Sequence, residues 1–167
     1  IDSEWVFIDG SYVRAHQHAS GARLGEERAI GRSRGGPTTK IHMACDAHGN
    51  PIDFEITGGE VHDAKAAPEI IRKVDKAENF IGDKGYDCEK LRDQALEKGC
   101  TPHIPRRSNS LKANPHFDKH LYRHRHLVEN LFAKLKHFRA FATRYDKLTR
   151  NFTSTVFIAC MLVWLKL

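Results

Sequence analysis

The stretch Trp5-Val6-Phe7-Ile8-Asp9-Gly10-Ser11-Tyr12-Val13 decides the fold. Trp5, Val6, Phe7, Ile8, Tyr12 and Val13 are β-branched or aromatic, so the segment predicts a strand. Asp9 and Gly10 interrupt it. A carboxylate inside an apolar strand is costly unless it is paired or binds a metal. A glycine beside it leaves room for a ligand to approach the backbone. Asp9 is therefore the first candidate functional residue.

Working outward, residues from Gly21 to Pro37 read as a basic, flexible loop, with five glycines and with Arg23, Arg28, Arg32 and Arg34. Two strands are expected from Lys40 to Cys45 and from Ile52 to Thr57, joined as a hairpin through His48-Gly49-Asn50. A helix is expected from Asp63 to Val74. A short strand from Asn79 to Gly82 enters Asp83-Lys84-Gly85-Tyr86-Asp87. A helix ended by Gly99 and a strand from Thr101 to Ile104 follow. The loop from Pro105 to Pro115 carries Arg106, Arg107 and Lys112. One long helix is expected from Asp118 to Tyr145, with Asp118 as its N-cap, and a last buried helix from about Asn151 to Leu167. The order predicts an α/β domain with one mixed sheet flanked by helices. Ribonuclease H-like folds share this order, and in them carboxylates from the first strand, a later strand and a following helix converge.

Composition bounds the partners. The chain has 167 residues, 40% of them hydrophobic, which suits a single domain spanning 1–167. Lys and Arg number 27 against 21 Asp and Glu, and the net charge of +6 favours a polyanion such as DNA or RNA. Cys45, Cys88, Cys100 and Cys160 form no C-x-x-C pair, which argues against a zinc ribbon or a disulfide framework and for reduced thiols in the cytoplasm. No signal peptide is visible, and the apolar run from Val156 to Leu165 is about half the ~20 residues needed to span a bilayer. The chain starts on Ile1, close to a core strand, which suggests a downstream fragment or a second reading frame of something longer.

Two further carboxylates stand out. Asp83 is expected at the end of a short strand, where α/β sheets bind ligands. On the long helix, Tyr122, Arg125, Glu129 and Lys136 fall in one narrow stripe beside an apolar arc, so Glu129 faces a cleft. Taken singly, a strand-end aspartate often only caps a turn, and a helix glutamate near basic residues is often a solvated ion pair. Together, two aspartates and a glutamate make an oxygen cage for a hard ion. Two Mg²⁺ (or Mn²⁺) ions about 4 Å apart would activate the nucleophile and stabilise the leaving oxygen in phosphodiester cleavage.

The chain resembles the insertion-sequence transposases of the DDE type, in the split-frame branch of the fifth insertion-sequence family. The resemblance rests on Asp9-Gly10-Ser11-Tyr12-Val13-Arg14-Ala15-His16, on Gly31 to Gly36 with Thr39-Lys40-Ile41-His42, on Thr57 to Asp63, and on Asp83 to Asp87. The family signature is Tyr, two residues, Arg, three residues, Glu, six residues, Lys. Tyr122, Arg125, Glu129 and Lys136 match it without a gap. The resemblance implies a metal-binding triad of Asp9, Asp83 and Glu129 that cuts and rejoins DNA, with Asp9 shared between the metals. It implies that Arg125 and Lys136 hold phosphates or position Glu129, and that Tyr122 lies near the site. The N-terminal region that in such enzymes helps recognise terminal repeats is expected to be absent.

Arg32, Arg34, Lys40, Lys84, Arg106 and Arg107 are the expected phosphate contacts. Insertion-sequence ends and target DNA are the expected partners, with a homo-oligomer on DNA, an upstream-frame protein and no membrane. His120 and His124 have zinc-compatible helical spacing, but no cysteine or suitably spaced carboxylate supports a zinc site. Two other functions fit the same residues: a ribonuclease H-like nuclease without strand transfer, and a non-catalytic DNA-binding remnant or regulator of a full-length enzyme.

Overall fold

A computed structural model describes residues 2, 4–20, 28–74 and 77–166. The loop positions 21–27, including Arg23, and the end of the last expected helix at Leu167 lie outside the described residues.

The expected first strand is β1, Trp5–Ala15. It is the centre of a seven-stranded mixed sheet with order β2-β3-β1-β5-β6. The antiparallel part comprises β2 (Gly31–Ser33), β3 (Gly36–Cys45) and β4 (Pro51–Gly58), with β2 and β4 both pairing β3. The parallel part comprises β5 (Asn79–Ile81) and β6 (Thr101–His103). The helix α1 (Asp63–Lys73) lies between these parts in the chain, and the helix α2 (Glu89–Glu97) connects β5 to β6. Gly99, at φ +76°, ends the turn after α2 as expected.

Alternation along β1 splits the core. Val6 and Ile8 join the cluster of Ala67, Ile70, Ile71, Leu91 and Ala95 from α1 and α2. Phe7 and Val13 join the opposite cluster with the C-terminal helices. A one-residue slip of β1 would therefore bring Asp9 and Ser11 into the α1 core.

The structure corrects three expectations. The long helix is broken into α3 (Lys119–Arg123), α4 (His126–Leu135) and α5 (Arg139–Ala142), and then β7 (Thr143–Arg144) pairs with β1. Asp118 does cap the start, accepting from the His120 and Leu121 amides. Tight turns cause the breaks: Leu127 N donates to His124 O and Phe138 N donates to Leu135 O. The second turn lets Phe141 reach full burial and sends Arg144 into the interior. Burying Phe141 alone contributes roughly 1.5–3 kcal/mol. Arg144 is 0% exposed. Its Nη1 donates to Thr39 Oγ1 at 2.7 Å, its Nε donates to Asp146 O at 2.9 Å, and its guanidinium lies 5.0 Å from the centre of the Phe152 ring. Desolvation pulls its pKa down to about 10.

Second, part of the basic loop is ordered as β2, whose Gly31 to Ser33 pair with Thr38 to Gly36 around an Arg34-Gly35 turn. Its glycine and arginine composition shows no alternation, so only the β3 edge supplies the order. Third, the last helix, α6 (Thr149–Trp164), is buried on one face only: Phe152, Val156, Ala159 and Cys160 are inside, while Phe157, Ile158, Met161 and Trp164 are exposed. No helix among the described residues is long and apolar enough to cross a membrane.

Candidate active site

The site forms where the parallel pairing of β1 and β5 stops. The last pair is Phe7 with Ile81. Two residues further along β1 is Asp9, and two residues beyond Ile81 is Asp83. Asp83 thus lies just past the C-terminal end of β5, and Asp9 sits on β1 at the point where its pairing with β5 has ended while its pairing with β3 continues. Asp83 Oδ1 accepts from Gly85 N at 2.7 Å and caps a 3₁₀ turn, Lys84–Tyr86.

Glu129, in the first turn of α4, faces the same region. Arg125 bridges the two elements: its Nη1 lies 3.3 Å from Asp9 Oδ2, and its Nη2 donates to Glu129 Oε1. Asp9 Oδ1 accepts from its neighbouring Gly10 amide at 2.9 Å. Burial pushes the Asp9 carboxyl above its ordinary pKa; the Gly10 amide and Arg125 oppose this, and the charges of Asp83 and Glu129 add to it. Burial works against the Arg125 charge, but Asp9 and Glu129 outweigh it and raise its pKa. Three like charges are thus held within electrostatic reach of each other around one cation.

A fourth carboxylate completes the arrangement, and the sequence did not single it out as a site residue. Asp63, at the start of α1, reaches the other face of β1 at Gly10. A Cβ on Gly10 would sit 2.5 Å from Asp63 Oδ1 and 2.8 Å from Lys40 Cε, so only glycine permits this approach. Lys40 Nζ lies 2.7 Å from Asp63 Oδ1, and the Tyr86 hydroxyl donates to the same oxygen at 3.5 Å. His42 Nδ1 lies 3.3 Å from it but is too poorly aligned for a hydrogen bond. The His42 Nε2 atom pairs with Thr57 Oγ1 at 2.9 Å. Burial alone would raise the Asp63 carboxyl; His42 and Lys40 outweigh it and hold it at about 2. Burial, then the charges of Asp63, Asp9 and Asp83, push the Tyr86 phenol well above its ordinary range. A glycine-marked strand facing His-Asp at a helix start was the available signal, but cross-strand register was needed to see the contact.

The remaining predicted residues divide. Arg32 and Arg34 are exposed and border a groove with Tyr12 and Arg14. Lys84 is exposed directly beside Asp83. Lys136 is exposed at the end of α4, seven residues or about 10 Å along the helix from Glu129. Tyr122 is half-buried, packs on the core and lies 5.4 Å from the Phe117 ring. Lys40 is 4% exposed and its ammonium is directed at Asp63. Arg106 pairs with Asp87 and Glu89, and Arg107 is exposed with its amide donating to Asp87 Oδ2 at 2.8 Å. His120 and His124 pack edge to face, with ring centres 5.4 Å apart, and His124 also lies 5.4 Å from the Trp5 ring.

The donor set of Asp9, Asp83 and Glu129 is all carboxylate oxygen, the chemistry that Mg²⁺ or Mn²⁺ prefers. Among the described residues no three His, Cys, Asp or Glu side chains are gathered at metal-ligating distance. The guanidinium of Arg125 stands between Asp9 and Glu129. Charge and donor type therefore fit a divalent cation, and side-chain rotation would be needed to gather the oxygens.

A mixed sheet with its parallel half ending in paired aspartates and a helix carboxylate across from them defines the ribonuclease H-like class. Solved structures agree on the fold. A chain of a simian T-cell lymphotropic virus intasome superposes with a TM-score of 0.58 at 11% identity, covering 97% of this chain and 48% of that one. The catalytic core domain of BIV integrase superposes with a TM-score of 0.51 at 11% identity, covering 96% of this chain and 82% of that one.

The chain belongs to the transposase DDE domain family, which matches residues 2–164. A Brucella ovis protein named as a transposase for insertion sequence element IS6501 is 34% identical over 133 residues, covering 77% of this chain and 99% of that protein. A Burkholderia cepacia protein named as a transposase for insertion sequence element IS402 is 26% identical over 141 residues, covering 78% of this chain and 64% of that protein. The domain is thus a transposase catalytic domain, of the polynucleotidyl transferase class, and the reading as a non-catalytic remnant is not favoured. DDE transposases generally use divalent metal ions.

Proposed function

We propose that Asp9, Asp83 and Glu129 hold two divalent cations, Mg²⁺ or Mn²⁺, and that the domain cleaves DNA at insertion-sequence ends and joins the freed ends to target DNA. The observation that carries this reading is the shared guanidinium: Arg125 touches Asp9 and Glu129, and the charge of Asp83 acts on both Asp9 and Arg125. Carboxylates so placed repel one another and favour any cation that enters.

The bound metal would supply Lewis-acid stabilisation at the attacking and leaving oxygens. The chain's own groups do the rest. Asp9 fixes the position from within the central strand and Asp83 from just past the end of β5. Glu129 approaches from α4, and Arg125 is free to pass from the carboxylates to a phosphate oxygen, where its two-pronged donors suit the anion. Lys40 and Asp63 pack over Gly10 on the face of β1 opposite Asp9. Exposed Arg32, Arg34, Lys84, Arg107 and Lys136 are the phosphate contacts that remain available at the surface. We further propose that residues 1–167 act as one catalytic unit in the cytoplasm, as an oligomer on DNA, with end recognition assisted by an upstream-frame protein.

The test uses supercoiled plasmid carrying the element's ends with Mg²⁺ or Mn²⁺. Nicking and joining should occur and should be lost in Asp83→Ala. In parallel, Mn²⁺ should raise the melting temperature of the unaltered chain and not of the variant. Cleavage that survives Asp83→Ala defeats the assignment of the site. Cleavage without joined products would convert the reading to a nuclease.

A further inference from the structure

On the face of β1 opposite Asp9 lies an open groove of about 780 Å³ lined by Tyr12, Arg14, Arg32, Arg34, Thr38 and Glu60 among others. It forms because β1, β3 and β2 carry one row of side chains in register: Arg14 opposite Thr38, and Thr38 opposite Gly31. Gly31 contributes no side chain, so the row dips, and the Glu60 carboxylate packs where a Cβ would stand. Tyr12 is one step along the same face, opposite Lys40.

We propose that this groove binds unpaired DNA next to the cleavage site, with a base stacked on Tyr12 and the backbone held by Arg14, Arg32 and Arg34. The proposal rests on the DNA reading above and adds the form of DNA and the place. Four observations carry it. Tyr12 is 50% exposed, although it sits in the central strand. One face of its ring is held by Lys40, whose Nζ lies 4.7 Å from the ring centre and 3.5 Å from the hydroxyl. The ring is therefore fixed by a buried side chain while half of it stays open, which is the geometry of a stacking platform. Three arginines outnumber the one glutamate around it, so the groove attracts phosphate. Last, Thr38 Oγ1 is buried, lines the groove, and has no hydrogen-bond partner among the described residues. It is packed against Gly59, so a ligand would reach it only where that contact opens.

A duplex does not fit this chemistry, because its base faces are covered by their neighbours. An unpaired nucleotide offers a bare face. Tyr12 lies three residues beyond Asp9, about 10 Å along the strand, or one to two nucleotides. Asp9 and Tyr12 leave β1 on opposite faces. Between Phe7, the last partner of β5, and Arg14, the first partner of β7, that edge of β1 has no ladder partner among the described residues. A DNA strand running from the carboxylates to the groove would cross β1 at this gap.

The test compares binding of a mixed-sequence 20-nucleotide single strand and the matching duplex by fluorescence anisotropy, with chelator present so that nothing is cut. Tyr12→Ala should weaken single-strand binding roughly tenfold, the scale of one lost base stack, and change duplex binding less than twofold. Tyr12→Phe should keep single-strand binding within about twofold, since the π-face remains. Arg32→Ala with Arg34→Ala should weaken both and flatten the salt dependence. As a check that needs no variant, single strands carrying 5-iododeoxyuridine should photocross-link to the unaltered protein at Tyr12. An unchanged single-strand to duplex ratio in Tyr12→Ala, or cross-links that avoid Tyr12, overturns the groove alone. Absence of binding to either form of DNA overturns the groove and the DNA reading together.

Discussion

Asp83 and Asp87 stand four residues apart in one short motif, yet their surroundings are opposite. Asp87 is saturated. Its Oδ1 accepts from Arg92 Nη2 at 2.9 Å and from Arg106 Nη1 at 3.3 Å, and its Oδ2 accepts from the Arg107 amide at 2.8 Å. Burial opposes its charge, but the Arg107 amide and the arginines hold its pKa below the ordinary value. Asp83 keeps one amide contact, from Gly85, and shares its field with Asp9. A carboxylate whose two oxygens both accept from arginines or an amide builds structure. A carboxylate held by one bond, among others of its own sign, is placed for a ligand. The pair shows that a place in the motif is not enough to mark a site; the balance of nearby charge decides.

The largest effect should come from removing Asp83. Asp83→Ala should lower metal-dependent strand cleavage by roughly a thousandfold, since several kcal/mol of charge stabilisation are at stake, while the melting temperature moves by no more than about 2 °C. Gel-resolved cleavage rates beside thermal melts would show this. A large fall in melting temperature would make Asp83 a structural residue like Asp87.

Next in size, Asp87→Ala should destabilise the fold by about 3–5 kcal/mol, because Arg92, 5% exposed, is left with its charge uncompensated. Urea denaturation measures this, and cleavage should persist at low temperature where the variant stays folded. An unaffected urea midpoint would mean that the Arg92 and Arg106 pairs contribute nothing net.

Replacing Arg125 should sharpen the contrast further. Arg125→Gln removes the cation between Asp9 and Glu129, so the melting-temperature gain on adding Mn²⁺ should exceed that of the unaltered chain by a few degrees. An equal or smaller gain would show that Arg125 does not compete for the carboxylates.

The smallest effect concerns Asp63. Its folded pKa of about 2 lies below the unfolded value near 3.9, so its contribution is full above the unfolded value and is lost as the pH falls from about 5 toward 2. Asp63→Asn should therefore be less stable at neutral pH, with the gap closing near pH 2. Parallel melting curves for the two proteins at all pH values would remove Asp63 from the charge network around Gly10.

Much of this was legible before any coordinates. The apolar run around Asp9 marked β1, and the strand ending at Asp83 marked β5. Asp118 announced a helix start, and it caps α3. The breaks after Arg123 and Leu135 were not legible, because Leu121, Val128, Leu131, Leu135 and Phe138 keep a helical apolar spacing across them. What ends the helix is the burial of Phe141 and Arg144 against other elements. Lys40 and Arg106 looked like surface cations from their neighbours in sequence. Lys40 is directed inward by a partner 23 residues away, and Arg106 by one 19 residues away.

By itself the sequence determined the alternation that orients β1, the glycines that let chains approach, and the identity of the carboxylates. These are properties of a residue and its nearest neighbours along the chain. Tertiary structure alone decided which charges are cancelled and which are left to act, since Coulomb energy depends on distance in space and on burial. Asp87 meets its arginines, Asp63 meets Lys40, and Asp83 and Asp9 meet each other, only once the sheet has formed.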